Sequence, residues 1–383
     1  MKIHNIPLLF AIATQLFHGP VTAQPLEDHL QISLLTCSEL KPMYASFGHS
    51  AVRVVDHAAG TDIVFDYGVF RFSEPGFVWK FLRGDLMYRV APREFEGFVR
   101  SNALKGRGVV EERLVLTPGQ EQLLHETLLE NIKPEHMYYR YDFLLDNCAT
   151  RVRDLFGGED YLHPGTPAGR SFRDHLGYYL DGRRWLQFGI DLILGAPVDR
   201  EMTYEQEMFL PEFLSRNLND FRNLATGTGL VGKTLKLLPP EDEELQGSPA
   251  LLQPVVVFSL LLLVLMVLFL TKRRVVRRIS PFLYALFGLA GIQVAFMWFG
   301  TSHTATAQNW NLLWLNPVYL CAIPFPGSLF NRIAVWVATI MTAGALVFWW
   351  LIPQEFNIAV LPLAGLLLVA SMASLKKNRQ DPA

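Results

Sequence analysis

The sequence predicts an α+β exported domain followed by a helical membrane domain, and three observations carry that prediction. Charge is unevenly spread: 34 Lys and Arg oppose 36 Asp and Glu, yet no Asp, Glu, Lys or Arg stands between Arg278 and Arg332. Within the charged part, strand patterning is gathered early and helical patterning later, the order of an α+β domain. The first residues, MKIHNIPLLFAIATQLFHGPVTAQ, set Lys2 before an apolar run that finishes on Val21, Thr22 and Ala23, which reads as a signal peptide (1–23). The near-neutral charge balance gives no electrostatic case for nucleic acid.

Element by element, LQISLLTC, SFGHSAVRVVD and TDIVFDYGVF read as strands, the last two joined by the HAAG turn. Helices are expected over 93–102, over 117–131 with Thr117-Pro118 as its start, and from Cys148 to Phe156 before Gly157-Gly158 stops it. The exported domain is read as 24–236, and LLPPEDEELQGSPA (237–250) as a linker. A transmembrane domain then occupies 251–375. Its first apolar run, LLQPVVVFSLLLLVLMVLFL, is long enough to span a bilayer and is followed by Lys272, Arg273, Arg274, Arg277 and Arg278. That basic cluster marks a cytoplasmic end, so the preceding domain faces the periplasm of a bacterial inner membrane. Further spans at 281–299, 312–326, 333–352 and 357–374 bring the count to about five. The 312–326 segment is short and holds Asn316, Pro317, Pro324 and Pro326, so a re-entrant path is the alternative. Lys376, Lys377 and Arg379 make 376–383 a cytoplasmic tail.

Chemistry centres on YRYDFLLDNCATRVRD. Asp146 and Asn147 are residue types that cap helices, which puts Cys148 in a first helical turn. Unpaired N–H groups there favour thiolate, with Arg151 and Arg153 nearby in sequence. A thiol nucleophile needs a base. His49, on a strand between the small residues Gly48 and Ser50, leaves room for approach, whereas His57, His125, His136, His163 and His175 have no comparable surroundings. Three blander readings stand beside this one: Cys148 as a buried apolar residue, a Cys37–Cys148 disulfide, and His49 as a satisfied core residue. Cys321 is read as packing within a span, and Tyr139 and Tyr141 as packing on one strand face. No metal-ligand spacing and no Gly-rich nucleotide loop occurs, so neither a metal nor a cofactor is expected.

The strings FGHSAVRV, FDYGVF, FVWKFLRGDLMYRV, YRYDFLLDNCATRVRD, GIDLILGAPVD and EMFLP, in this order, resemble the exported domain of the Lnb family of lipoprotein N-acyltransferases, over about residues 30–220. NWNLLWLNPVYL (309–320) resembles a signature of that family's membrane part. The family is similar to the circularly permuted papain-like enzymes, which include NlpC-type peptidases and lecithin:retinol acyltransferase, and in which histidine precedes cysteine. The resemblance implies Cys148 as nucleophile, His49 as base and Asp66 as the group that orients the imidazole, although Asp-Tyr-Gly stands here where relatives often have Asn-Tyr-Gly. Alternation puts Asp66 and Tyr67 on opposite faces, so only one of them can meet His49. Arg151, Tyr67 and Asn147 are the expected substrate-side residues. Arg151 meets a lipid phosphate or forms a network with Arg153 and Asp154. The implied reaction moves an acyl chain from a phospholipid to the N-terminal cysteine amine of a lipoprotein through acyl-Cys148. Fold and dyad do not fix the substrate, and the residues also admit a cysteine peptidase or amidase acting on peptidoglycan, a lipid hydrolase, or a non-catalytic membrane scaffold. His303, Asn309 and Asn311 either hold a lipid headgroup or bond between segments.

Overall fold

The computed structural model describes residues 30–40, 42, 45–70, 75–158, 160–163, 165–167, 169–240, 249–324 and 327–375. The expected signal peptide, most of the linker and the tail lie outside them. The three expected strands form as β1 (Leu30–Cys37), β2 (His49–Asp56) and β3 (Thr61–Val69). They are joined by β4 (Met87–Glu94), β5 (Val109–Leu114) and the short β6 (Tyr138–Arg140). A small second sheet holds β7 (Tyr161–Leu162), β8 (Arg222–Asn223) and β9 (Thr228–Gly229), and β10 (Val231–Leu238) returns to the main sheet. The order of that seven-stranded antiparallel sheet is β10-β5-β1-β2-β3-β4-β6. β10 runs through Leu237 and Leu238, into the stretch read as linker, because Leu238 still pairs with Val109 of β5 beyond a bulge at Leu237.

Both faces of the sheet are covered, which is why every residue of β1 but Gln31 is buried, Ser33 and Thr36 included. Beside α1 (Phe77–Arg83) lie α2 (Phe95–Ala103), α3 (Pro118–Asn131) and α4 (Cys148–Arg153), the last continued by a 3-10 turn over Asp154–Phe156. Phe98 of α2 packs with Ala51, Val64 and Leu35 on one face. Leu128 of α3 and Val152 of α4 pack with Val52, Phe65 and Tyr67 on the other. The later helices α5 (Phe172–Leu180), α6 (Arg184–Ile193), α7 (Tyr204–Glu207) and α8 (Pro211–Leu218) close the domain.

In the membrane part, α9 (Pro254–Thr271), α10 (Arg273–Phe299) and α12 (Leu329–Val347) are long and apolar enough to cross a bilayer. Val360–Leu375, α13, is a shorter apolar helix. Over its described residues, 312–324, the expected span at 312–326 is not one continuous helix. Between a 3-10 turn at Trp310–Leu313 and the single turn α11 (Val318–Cys321) lies Asn316-Pro317, and the proline both lacks an N–H and pushes the residue before it out of helical geometry. That irregular segment presses on α10, where Gly291 faces the Leu315 carbonyl and a Cβ on Gly288 would lie 2.7 Å from Leu320 Cγ. The far end of α13 returns to the start of α10: Arg273 Nη2 donates to Met372 O at 3.0 Å and Ser280 Oγ to Ala370 O at 3.1 Å.

The two parts meet along a bonded seam. Asn309 Nδ2 donates to Leu192 O and Ile193 O, each at 2.9 Å, and Asn311 Nδ2 donates to Asp191 O at 3.3 Å. Gly195 lets the chain pass so near the Ala307 carbonyl that any Cβ would collide with it. GIDLILGAPVD and NWNLLWLNPVYL are therefore two halves of one junction. Nearer β6, Thr304 Oγ1 donates to Asp142 Oδ2 at 2.7 Å and Trp79 of α1 stacks on Phe296 of α10 at 6.0 Å.

Candidate active site

The start of α4 is fixed by Asn147. Its Oδ1 accepts from Ala149 N at 2.8 Å and Thr150 N at 3.1 Å, and Thr150 Oγ1 accepts in return from Asn147 N at 2.7 Å. Asn147 Nδ2 donates to Phe143 O and Phe209 O, so the whole side chain is committed to holding the helix entry. Ala149 and Val152 bury against the sheet, which leaves Cys148 at its end, opposite the first residue of β2, His49. Gly48 makes the sharp entry to that strand: its φ is +76°, and a Cβ there would lie 2.8 Å from Cys37 O.

Asp66 completes the arrangement. His49 Nε2 and Asp66 Oδ1 are 2.6 Å apart, and Arg93 Nη1 donates to Asp66 Oδ2 at 2.9 Å. Tyr67 points to the opposite face, where its hydroxyl accepts from Asn131 Nδ2 at 2.9 Å. The β3–β4 pairing shifts register between Asp66 and Val69. Gly68 sits in that irregularity with φ +84°, and a Cβ built on it would stand 3.7 Å from Cys148 Cβ and 3.9 Å from His49 Cε1.

Electrostatics favour charge separation between the two side chains. Burial pushes the Cys148 thiol up, but the His49 imidazole beside it, its hydrogen bond and the Ser50 N–H outweigh that and bring the thiol below its ordinary range. Burial pulls His49 down, but the Cys148 thiolate and the Asp66 carboxylate push it up to about 10. Burial likewise raises Asp66, and His49 and Arg93 more than reverse this. Both shifts favour the thiolate–imidazolium form of the pair. Cys37, directly opposite His49 in the β1–β2 register, is 1% exposed and pushed up to about 12 by burial. Cys37 and Cys148 are both free thiols, so the disulfide alternative is not formed.

Of the three residues expected on the substrate side, Asn147 and Tyr67 have their polar groups bonded inside the fold. Arg151 is half-exposed, but its Nε and Nη2 grip Asp146 at 2.5 and 2.6 Å and its guanidinium lies 4.4 Å over the Tyr139 ring. Arg153 turns away, to Asp154 and the Glu205 carbonyl. His303, Asn309 and Asn311 are used in bonds at the seam. His163 and His175 stack on aromatic rings away from Cys148. A cleft of about 850 Å³ beside the seam is lined by neither Cys148 nor His49, and its Arg173 is held by Asp191 and Asp199. No group of three His, Cys, Asp or Glu among the described residues could hold a metal. Arg93, Gly68 and the Ser50 N–H were not visible as site components in the sequence. Only the glycine directly after Asp66-Tyr67 carried a signal, that of a backbone needing positive φ.

Residues 21–169 match the family model described as the Lnb N-terminal periplasmic domain, and residues 246–381 match the one described as the Lnb transmembrane domain. The chain belongs to the Lnb-type family. No match was found among curated proteins or solved structures. Cys148, His49 and Asp66 all fall within the Lnb periplasmic match, and Asn309 and Asn311 within the Lnb transmembrane match. Thr304–Asp142 and Trp79–Phe296 join residues of the two Lnb matches, while the 191–195 side of the seam lies in the stretch between them.

Proposed function

We propose that this Lnb-type protein is a thiol acyltransferase of the bacterial inner membrane that moves a fatty acyl chain from a phospholipid to the N-terminal cysteine amine of a lipoprotein. The observation that carries this is the Cys148–His49–Asp66 constellation on a domain bonded to a transmembrane domain. Its chain order, with histidine on a strand before cysteine at a helix start, also supports the permuted papain-like reading. The Cys148 thiolate adds to the donor ester carbonyl. As the carbon–oxygen bond breaks, the imidazolium of His49 gives its proton to the leaving alkoxide, releasing a lysophospholipid and leaving a thioester. The lipoprotein amine then attacks the thioester, His49 takes the amine proton, and the carbon–sulfur bond breaks to restore thiolate and imidazolium. Asp66 keeps the imidazole oriented and supports its charge.

Membrane proximity favours a lipid donor over a soluble peptide. Val78, Trp79 and Phe81 of α1 are exposed beside Phe296 near the end of α10, and the loop clamped by Thr304 onto Asp142 leads directly to Asn147 and Cys148. A site held there can exclude water while the amine is positioned, which favours transfer over hydrolysis. The return of α13 to the basic start of α10 supports a cytoplasmic C-terminus. Asn147 and Tyr67 are assigned to positioning, and Arg151 is the side chain of the three nearest to open solvent. The test supplies purified protein with a phospholipid and a diacylated lipopeptide. The expected products are an N-acylated lipopeptide and an equal amount of lysophospholipid. Release of free fatty acid alone would make it a lipid hydrolase, and cleavage of peptidoglycan peptides with the lipopeptide untouched would make it a peptidase.

A further inference from the structure

Tyr139 on β6 is 5% exposed, and its hydroxyl is buried with no hydrogen-bond partner among the described residues. Buried phenols normally find a partner, so an orphaned one asks for an explanation. Its position supplies one. The point where a Cβ on Gly68 would stand is 3.8 Å from Tyr139 Oη, 3.7 Å from Cys148 Cβ and 3.9 Å from His49 Cε1. Hydroxyl, nucleophile and base thus converge on one notch, kept open because Gly68 carries no side chain. The ring is held in place by Arg151 at 4.4 Å and by Tyr88, whose ring centre is 6.4 Å away. Burial and the neighbouring Cys148 charge both raise the phenol's pKa, so it stays protonated and can only donate to an anion. The Cys148 N–H is a second donor at this corner: the Asn147 cap takes the N–H groups of Ala149 and Thr150 and leaves it without a partner among the described residues.

We propose that Tyr139 is a catalytic residue whose hydroxyl donates a hydrogen bond to the oxyanion formed when Cys148 Sγ adds to the substrate carbonyl. This rests on the acyl-transfer reading above. When the sulfur–carbon bond forms, the carbonyl π pair moves onto oxygen, and Tyr139 Oη and the Cys148 N–H hold that charge without transferring a proton. When the leaving alkoxide departs, the pair returns and the carbonyl is restored. The donor is preorganised, because the ring is already fixed and the hydroxyl has no other bond to break.

Two small reagents separate this role from a structural one. Iodoacetamide and p-nitrophenyl butyrate both consume the Cys148 thiolate of the full-length protein in detergent, but only the ester passes through an oxyanion. In Tyr139→Phe, acylation by the ester should slow about 10²- to 10³-fold, while alkylation proceeds at the wild-type rate. The thermal midpoint should stay level or rise, because a buried unmet hydroxyl has been removed. An unchanged ester rate overturns the proposal. Should both rates fall together, replacement of Tyr139 by 3-fluorotyrosine, which keeps ring and hydroxyl but makes the donor more acidic, decides. A change in the ester rate alone supports the proposal, and a change in neither or in both overturns it. If wild-type Cys148 reacts with neither reagent, the acyl-transfer reading itself has failed, an outcome distinct from the failure of Tyr139.

Discussion

The catalytic corner and the domain seam treat polar groups in opposite ways. At the seam the amides are used up: Asn309 donates twice to α6, and Gln354 Nε2 donates to Leu194 O at 3.0 Å while its Oε1 accepts from Trp310 N at 2.7 Å. At the corner, the Tyr139 hydroxyl and the Cys148 N–H have no partner among the described residues, and three charged or chargeable groups stand together with little solvent. A folded chain ordinarily satisfies its buried donors, so the bonded amides fit assembly and the donors that face the Gly68 notch fit a place left for another molecule. The two regions should therefore respond differently to mutation: the corner should lose chemistry and keep stability, and the seam the reverse.

The sharpest test compares the two exported cysteines. Cys148→Ser should reduce acyl transfer by on the order of 10⁴-fold or more, with an unfolding midpoint close to wild type. Cys37→Ala should keep full turnover and lose only stability, since its thiol is buried, protonated and bonded to nothing that supports a charge. What separates the two sulfurs is that the His49 charge, the His49 hydrogen bond and the Ser50 N–H outweigh burial at Cys148, whereas burial prevails at Cys37. Equal loss of turnover in the two variants, measured on the same phospholipid and lipopeptide, would break the contrast.

Next in size is the pH profile. His49 has a folded pKa raised to about 10, so the imidazolium needed to protonate the leaving group persists from neutrality up to that value and is lost above it. The Cys148 pKa is lowered, so the acid limb should fall below the ordinary thiol range. The same sign holds for stability. The His49 contribution is fully present below its unfolded pKa and disappears as pH rises through about 10. In His49→Ala turnover should vanish, and iodoacetamide labelling of Cys148 should move to higher pH. A labelling profile unmoved by that substitution would show that the thiolate owes nothing to the histidine.

A smaller effect is expected at Asp66. Asp66→Asn keeps an oxygen for the His49 ring but removes the carboxylate that helps raise the imidazolium pKa, so the alkaline limb should shift down and turnover should fall by roughly 10²-fold. A profile that shifts up, or that does not shift, would remove Asp66 from the charge relation.

Much of this corner was legible in the sequence because it is built from local rules. A cap residue fixes a helix start, alternation assigns Asp66 and Tyr67 to opposite faces, and the small residues Gly48 and Ser50 leave room beside His49. What stayed hidden depends on long-range placement. β6 brings Tyr139 beneath Gly68 only through its pairing with β4, and a three-residue strand carries no pattern of its own. Arg93 meets Asp66 across the β3–β4 register. The membrane part divides the same way. Apolar length gave α9 and α10, and Asn316-Pro317 already left 312–326 open to a re-entrant path; what the sequence did not show is that Asn316 bonds across to Met341 of α12.

The smallest expected effect tests the seam itself. Asn309→Ala removes two hydrogen bonds to the end of α6, and it leaves the Ile193 carbonyl without its donor. The cost should be roughly 1–3 kcal/mol, read as a lower thermal midpoint in detergent. Iodoacetamide labelling of Cys148 should not change, because Asn309 touches none of the groups that ionise the thiol. Transfer to a lipopeptide held in a bilayer should fall a few-fold, since the catalytic domain is then less firmly set against the membrane, while acylation by a soluble ester should keep its wild-type rate. If labelling and soluble-ester acylation fall together with transfer, seam and corner form one unit, and the separation of assembly from chemistry drawn from their hydrogen bonds is wrong.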